Sequence, residues 1–304
     1  VGSIDLTGEN YFGGVILKRK YIPWAFLAVP LSLYSIWVIG PTIYTIYLSL
    51  TDWDGITAPE FQGIDNYLKL FNDPIFYTSL VNNVKWLVIF MAIPVAVGLF
   101  LAILLSKEIK WARGYKAAIY SPMILAPVVI GLIWSWIYQP QGGLLNNTLT
   151  YIGLEGLTRG WLSNPNTALY AIIGAAVWRH TGYVMLLFLS GLTAISPTVI
   201  EASKIDGASA WQRFRYILLP LLKPTTVIVI VITMIQSLRA FDFVSMMTRG
   251  GPFNTTNVLA HYMYTEAFKN YNMGYGASIA VVLFAIMFIF IVIYLRQIRK
   301  GELE

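Results

Sequence analysis

The stretch LVNNVKWLVIFMAIPVAVGLFLAILL, Leu80 to Leu105, decides the fold. Crossing roughly 30 Å of hydrocarbon takes about 20 mostly apolar residues per helix, because only a helix satisfies its own backbone within one segment. This run meets that length. So do runs from about Pro23 to Leu50, Tyr115 to Tyr138, Thr167 to Leu192, Thr225 to Met247 and Tyr275 to Leu295, which gives six predicted spans. The whole chain agrees: of 304 residues 57% are hydrophobic and 12% charged, with a mean hydropathy of +0.64. That is more apolar surface than one soluble domain can bury. The first run is too long for a signal h-region and no Ala-x-Ala-like site follows it, so it is expected to be retained as a span. The predicted fold class is all-α, a polytopic membrane protein. One six-helix domain covers 23–297, with cytoplasmic segments at 1–22 and 298–304.

Orientation follows from the basic residues, since short loops rich in Lys and Arg stay in the cytoplasm. Lys18, Arg19 and Lys20 precede span one; Lys107, Lys110, Arg113 and Lys116 join spans two and three; Lys204, Arg213, Arg215 and Lys223 join four and five; Arg296, Arg299 and Lys300 follow six. Six spans put all of these on one side, with both termini. The first opposite loop carries Asp52, Asp54, Glu60, Asp65 and Asp73 against Lys69 alone. Trp24, Trp53, Trp86, Trp111, Trp134, Trp136 and Trp161 near the predicted ends suit the interfacial belt. Pro94, Pro122 and Pro127 are expected to kink spans two and three.

Composition also excludes chemistry. Cysteine is absent, so disulfides, thiolate metal sites and Cys nucleophiles are ruled out. The two histidines, His180 and His261, make a His-based metal site improbable. The net charge of +6 sits in short clusters between apolar runs and reads as topology, not as a nucleic-acid surface. No Gly-x-x-x-x-Gly-Lys-Ser/Thr occurs, so the chain has no P-loop for ATP.

The loop between spans four and five, about 196–220, carries the most information. Ser196 before Pro197 reads as an N-cap with Pro at the first helical position, and Gly207 as a left-handed C-terminal stop. From Ala208 to Leu219, Trp211, Phe214, Tyr216 and Ile217 alternate with Gln212, Arg213 and Arg215, the pattern of a helix lying along the inner membrane surface. Glu201-Ala202-Ser203, three residues, Gly207, nine residues, then Ile217-x-Leu219-Pro220 resembles the EAA motif of bacterial ABC importer permeases, with Ser203 where Ala is usual. Phe241 to Pro252, with Thr248 before Arg249-Gly250-Gly251-Pro252, resembles the outer end of the fifth core span in carbohydrate-uptake members of that family. The likeness covers roughly Ile172 to Leu295 by motif and the first three spans by layout only.

This resemblance implies a type I ABC importer permease subunit of the bacterial inner membrane. It would translocate a sugar, polyol or related solute by alternating access. It implies a cytoplasmic ATPase dimer that holds ATP and Mg, a second homologous permease and an extracytoplasmic solute-binding protein, with no cofactor on this chain and no catalysis by it. The EAA helix would dock in a cleft of the ATPase, so Glu201, Ala202, Ser203, Asp206, Gly207, Ile217 and Pro220 are the expected coupling residues.

Polar groups at membrane depth are costly and usually face a bundle interior or an aqueous path. Trp178, His180, Tyr183, Thr233, Gln236, Ser237, Arg239 and Asp242 are the candidate solute residues, of which Tyr183, Thr233, Gln236 and Ser237 fall where family members line a sugar site. Arg239 and Asp242 could instead pair with each other, and Arg179 and His180 could hold helices together. A glycerophosphate importer, an ion-gradient transporter and a non-transporting scaffold remain as alternatives.

Overall fold

The computed structural model describes residues 9–12, 15–18, 22–106 and 110–301. Arg19, Lys20, Lys107 and the end of the predicted tail lie outside the described residues. The chain opens with an antiparallel pair, β1 (Glu9–Phe12) and β2 (Val15–Lys18). Apart from this hairpin and a second short pair, β3 (Thr51–Asp52) and β4 (Glu60–Phe61), the described elements are helical, as expected of an all-α fold.

Helices α1 (Ile22–Tyr34) and α2 (Gly40–Leu48) are joined by a π-helical turn, Ser35–Ile39. Pro41 has no N–H for the carbonyl one turn back, and Gly40 reaches one residue further, to the Ser35 carbonyl. Together they make the first span, Phe26–Leu48, none of whose most apolar window is buried within this chain. After α3 (Asp65–Leu70), α4 (Pro74–Leu105) is a single helix that runs unbroken through Pro94. The third span does break: α5 (Ala112–Ile124) and α6 (Pro127–Ile137) meet at 102°. Beyond the outer helix α7 (Leu144–Tyr151), α8 (Ala168–Thr193) is the fourth span. Next come α9 (Pro197–Ile205), α10 (Ala210–Arg213), a π turn and α11 (Leu219–Leu221).

The predicted fifth span is not one helix. It is α12 (Lys223–Leu238) and α13 (Phe241–Met247), interrupted at Arg239–Ala240. Outer helix α14 (Leu259–Tyr264) then leads to α15 (Met273–Gly301), the sixth span. Among the described residues four helices are long and apolar enough to cross without interruption, and two bent pairs, α5 with α6 and Ala210–Leu221 with α12, raise the number to six if each pair is one crossing.

The core is built on α8. Along its outer half Leu169, Ile172 and Ala176 pack with Trp86 and Phe90 of α4, Ile130 of α6 and Val244 of α13. Along its inner half Val184, Met185 and Phe188 pack with Ala102 and Leu105 of α4 and Val229 of α12. Gly182 faces the backbone of Ile119 and Tyr120 so closely that a Cβ there would overlap it. Small residues permit such contacts between membrane helices, where dispersion replaces the hydrophobic effect. Trp86 is 1% exposed and belongs to this core, not to the interfacial belt, whereas Trp24, Trp111 and Trp136 are exposed as the belt requires.

At the outer surface, Asp73 holds the bundle together. Its Oδ1 accepts from the Ile75 N–H at 2.8 Å, capping α4. Its Oδ2 accepts from the hydroxyls of Tyr275, at 2.6 Å, and Tyr262, joining α4 to α15 and α14. Burial pushes this carboxyl up, but the two tyrosine hydroxyls and the N–H groups of Ile75 and Phe76 outweigh it and hold it below the ordinary value.

Asp73→Ala leaves both hydroxyls without their acceptor, at about 1–3 kcal/mol for each buried group, so thermal denaturation of the purified permease should give a lower Tm. The folded carboxyl titrates below the unfolded one. The stabilisation is therefore complete above the unfolded pKa of about 3.9 and lost as pH falls through the folded value. The Tm gap between wild type and variant should stay constant from about pH 5 to 8 and narrow only below about pH 4.

Candidate functional site

Pro197 does open α9, and Ser196 does sit at its N-cap. Its hydroxyl, however, bonds the Thr198 hydroxyl at 2.7 Å and not a backbone N–H. The other end closes as predicted: Gly207 has φ +78°, its N–H reaches the Lys204 carbonyl at 3.1 Å, and the Ala208 N–H reaches the Ser203 carbonyl at 3.0 Å. This pair of bonds is a Schellman stop. The result is a two-turn helix with sharp limits.

Glu201, Ala202, Lys204, Ile205 and Asp206 are exposed; Ile205, at 86%, is an apolar side chain with no partner among the described residues, and Glu201 and Lys204 also border the cleft between α9 and the bundle. Ser203 faces inward. It is 5% exposed and its hydroxyl bonds the Ile200 carbonyl at 2.7 Å. Among the expected coupling residues Ser203 is thus the one buried against the rest of this chain, where a small side chain fits. Ile205 was not singled out from the sequence, where one isoleucine in a short helix carries no signal.

The following segment forms an elbow. Ser209 and Gln212 make a reciprocal capping box, with the Ser209 N–H on the Gln212 side chain at 2.7 Å. Arg213 donates to the Ala208 carbonyl, tying the elbow to the end of α9. The elbow meets α12 at 69°, at the fully buried Leu222. Ile217 and Pro220 lie on this elbow and not on α9, so they set its position. A cleft of about 1210 Å³ remains between α9, the elbow and the inner ends of α4 and α8, walled by Leu99, Ile103, Leu192, Ile200 and Phe214.

The candidate solute residues divide by exposure. His180 Nε2 and Thr233 Oγ1 share a hydrogen bond of 3.0 Å, both buried, and the His180 ring stacks on Phe90 at 4.7 Å. Ser237 is fully buried and bonds the Met234 carbonyl at 2.7 Å within its own helix. The His180–Thr233 pair joins α8 to α12 and, through Phe90, to α4, and all three polar residues are buried in this conformation. Trp178 is 46% exposed and stands edge-on to Trp134 at 5.7 Å. Gln236 and Arg239 are exposed, while Tyr183 and Asp242 are half-buried. Because the span breaks at Arg239–Ala240, Arg239 and Asp242 are not one turn apart on a continuous helix. Arg179 donates from Nε to the Leu125 carbonyl and from an Nη to the Met123 carbonyl, each at 3.2 Å, bridging α8 to the α5–α6 break.

The Gly-Gly-Pro segment is a built loop anchored to α4. Asn82 donates to the Thr255 and Asn257 carbonyls, each at 2.8 Å, and Asn83 accepts from the Leu259 N–H at 2.8 Å. Asn257 shares a 2.7 Å bond with His261 Nδ1. Gly250, at φ +83°, leaves room for the Asn257 amide. Burial, and secondarily the charge of Lys269, pushes the His261 imidazole down to about 4, so it is neutral near pH 7.

The site is thus an exposed, capped helix at one end of a bundle with broken helices. The model of the binding-protein-dependent transport system inner membrane components matches residues 84–300. A probable ABC transporter permease protein of Pyrococcus horikoshii is 40% identical over 91% of this chain and 95% of its own length. A probable starch degradation products transport system permease of Thermoanaerobacterium thermosulfurigenes is 36% identical over 92% of this chain and 95% of its own. Among solved structures, a bacterial ABC transporter that imports the acidic polysaccharide alginate has a chain that superposes with a TM-score of 0.81, at 19% identity over 93% of this chain and 96% of that one. The chain belongs to the binding-protein-dependent transport system inner membrane components: it is a permease subunit of an ABC importer.

The division by exposure is testable in the assembled importer. Thr233→Val strands the buried His180 ring at about 1–3 kcal/mol, and should lower Tm without changing the solute concentration that half-stimulates ATP hydrolysis. Gln236→Ala should do the reverse. A changed solute dependence in Thr233→Val would return the His180–Thr233 pair to the solute path.

Proposed function

We propose that this permease carries a carbohydrate or polyol delivered by an extracytoplasmic binding protein, and that α9 is the helix through which a separate cytoplasmic ATPase drives it. The observation that carries the proposal is the set of exposed side chains on α9: Glu201, Ala202, Asp206 and the bare Ile205 on a helix closed by a Schellman stop. A short helix with fixed ends transmits displacement without absorbing it. Ile205 supplies the desolvated anchor typical of a docking interface, ringed by charges that set orientation. ATP and Mg belong to the partner ATPase in this reading, and the permease performs no catalysis.

The carbohydrate class rests on relatives named for starch degradation products and for lactose, and on the exposed aromatic and amide pair, Trp178 and Gln236. Aromatic rings cover apolar sugar faces while amides read hydroxyls. Arg179 is engaged by backbone carbonyls, which favours a neutral solute over a glycerophosphate. The first span, unburied within this chain, offers a surface for a second, homologous permease. Basic flanks at Lys110, Arg113, Lys116, Lys204 and Arg213 support the reading that α9 and both termini lie on the cytoplasmic side of a bacterial inner membrane.

Glu201→Lys and Gly207→Asp should leave the permease in the membrane while uncoupling ATP hydrolysis from uptake. Gly207→Asp also strains a left-handed position at about 1 kcal/mol or more. Ile205→Asp should weaken retention of the ATPase during co-purification by about tenfold or more, the scale of a central interface residue. Full retention and coupled uptake in all three would remove α9 from the interface.

A further inference from the structure

The carbonyls of Met123 and Leu125 are two of those that the α5–α6 break leaves without helical donors. In a continuous helix the Met123 carbonyl would accept from residue 127, but Pro127 has no N–H. The Leu125 carbonyl would accept from Val129, whose N–H bonds the Ala126 carbonyl at 3.0 Å instead. Leu125 and Ala126 both have ψ 144°, the extended backbone that a following proline favours. Arg179 supplies both missing donors, at 3.2 Å each. Its neighbour His180 is locked between Phe90 and Thr233, so the arginine is carried on the fixed part of the bundle.

The second break brings an alternative acceptor. Asp242 lies in the first turn of α13, just past Arg239–Ala240, and α13 packs against α8, the helix that carries Arg179. Helix α13 packs on α6: Val244 and Met247 share a cluster with Ile130, and a Cβ on Gly131 would lie 3.3 Å from Met246. Asp242 therefore belongs to the same packed unit as the far side of the α5–α6 break.

We propose that Arg179 is a positioning residue of the transport cycle, which holds the α5–α6 break through the Met123 and Leu125 carbonyls in this conformation and exchanges them for the Asp242 carboxylate when the spans rearrange. Two carbonyls and one carboxylate are acceptor sets of similar strength for a guanidinium. A cation shared between them makes a two-state element that modest differential contacts bias. The proposal rests on the importer reading and adds to it the group that bears the broken span.

The test uses the complete importer, with its ATPase and binding protein, in proteoliposomes. The chain has no cysteine, so Ala126→Cys places a single thiol of this subunit at the break. Its maleimide labelling rate is read by mass in the nucleotide-free and the vanadate-trapped states. The two rates should differ by about tenfold, the scale of one charge-assisted hydrogen bond. Arg179→Gln should bring the ratio close to one. Arg179→Lys, which keeps charge and donors but not the fork, should restore part of it. Asp242→Asn should reduce the ratio while leaving the nucleotide-free rate at its value in Ala126→Cys alone. A ratio of one in the Ala126→Cys background, a full ratio in Arg179→Gln, or identical Gln and Lys variants would overturn the proposal. If Arg179→Gln fails to assemble, Asp242→Asn decides alone, and an undiminished ratio there overturns it. ATP-driven solute uptake by the unaltered importer, measured in the same vesicles, tests the importer reading separately.

Discussion

Hydrocarbon offers no hydrogen-bond partner, so each point where the backbone leaves the helix must find one inside the protein. The arrangement of this chain follows from where that happens. The first span yields at Pro41 by widening into a π turn, which keeps its bonds within the segment. The third span breaks outright at Leu125–Ala126 and hands its carbonyls to Arg179. The fifth breaks at Arg239–Ala240, opposite the same arginine. Helix α8, unbroken and packed along its length, is the reference against which the broken spans are placed.

That division of labour suits a transporter. Alternating access needs elements that can take two positions and elements that cannot. The buried His180–Thr233 bond and the stack on Phe90 fix α8 to α4 and α12, while the outer halves of two broken spans, α6 and α13, pack on one another. At the elbow end of the bundle α9 is bounded by Pro197 and the Gly207 stop and tied to the elbow by Arg213, with a cleft behind it. A push on α9 therefore reaches the elbow and, through the bend at Leu222, α12. On the outer side, Asp73 and the asparagines of α4 clamp α14, α15 and the Gly-Gly-Pro loop into one face.

Much of this was legible in residue order. Spans at 80–105 and 167–192 stand within a few residues of α4 and α8, because an apolar run of bilayer length admits one solution. Pro197 and Gly207 mark the ends of α9 because a helix start tolerates a missing N–H and a helix end favours a left-handed residue, both local effects. Pro94 and Pro127 show the limit of the same reasoning. The first passes through α4 unbroken, while the second opens α6 just past the break at Leu125–Ala126.

Residue order alone determined that this chain is a multi-span membrane protein, which side its basic loops prefer and where α9 begins and ends, since length, charge and cap chemistry act within a few residues. Only the tertiary structure decided that Thr233, Ser237 and His180 are buried between helices while Gln236 and Trp178 are exposed, that Ser203 faces inward and Ile205 outward, and that Arg179 completes a break 54 residues away. Polar residues in a span look alike in sequence. Which of them bonds a neighbour and which meets the solute path depends on helix rotation and on partners distant in the chain, and packing alone sets both.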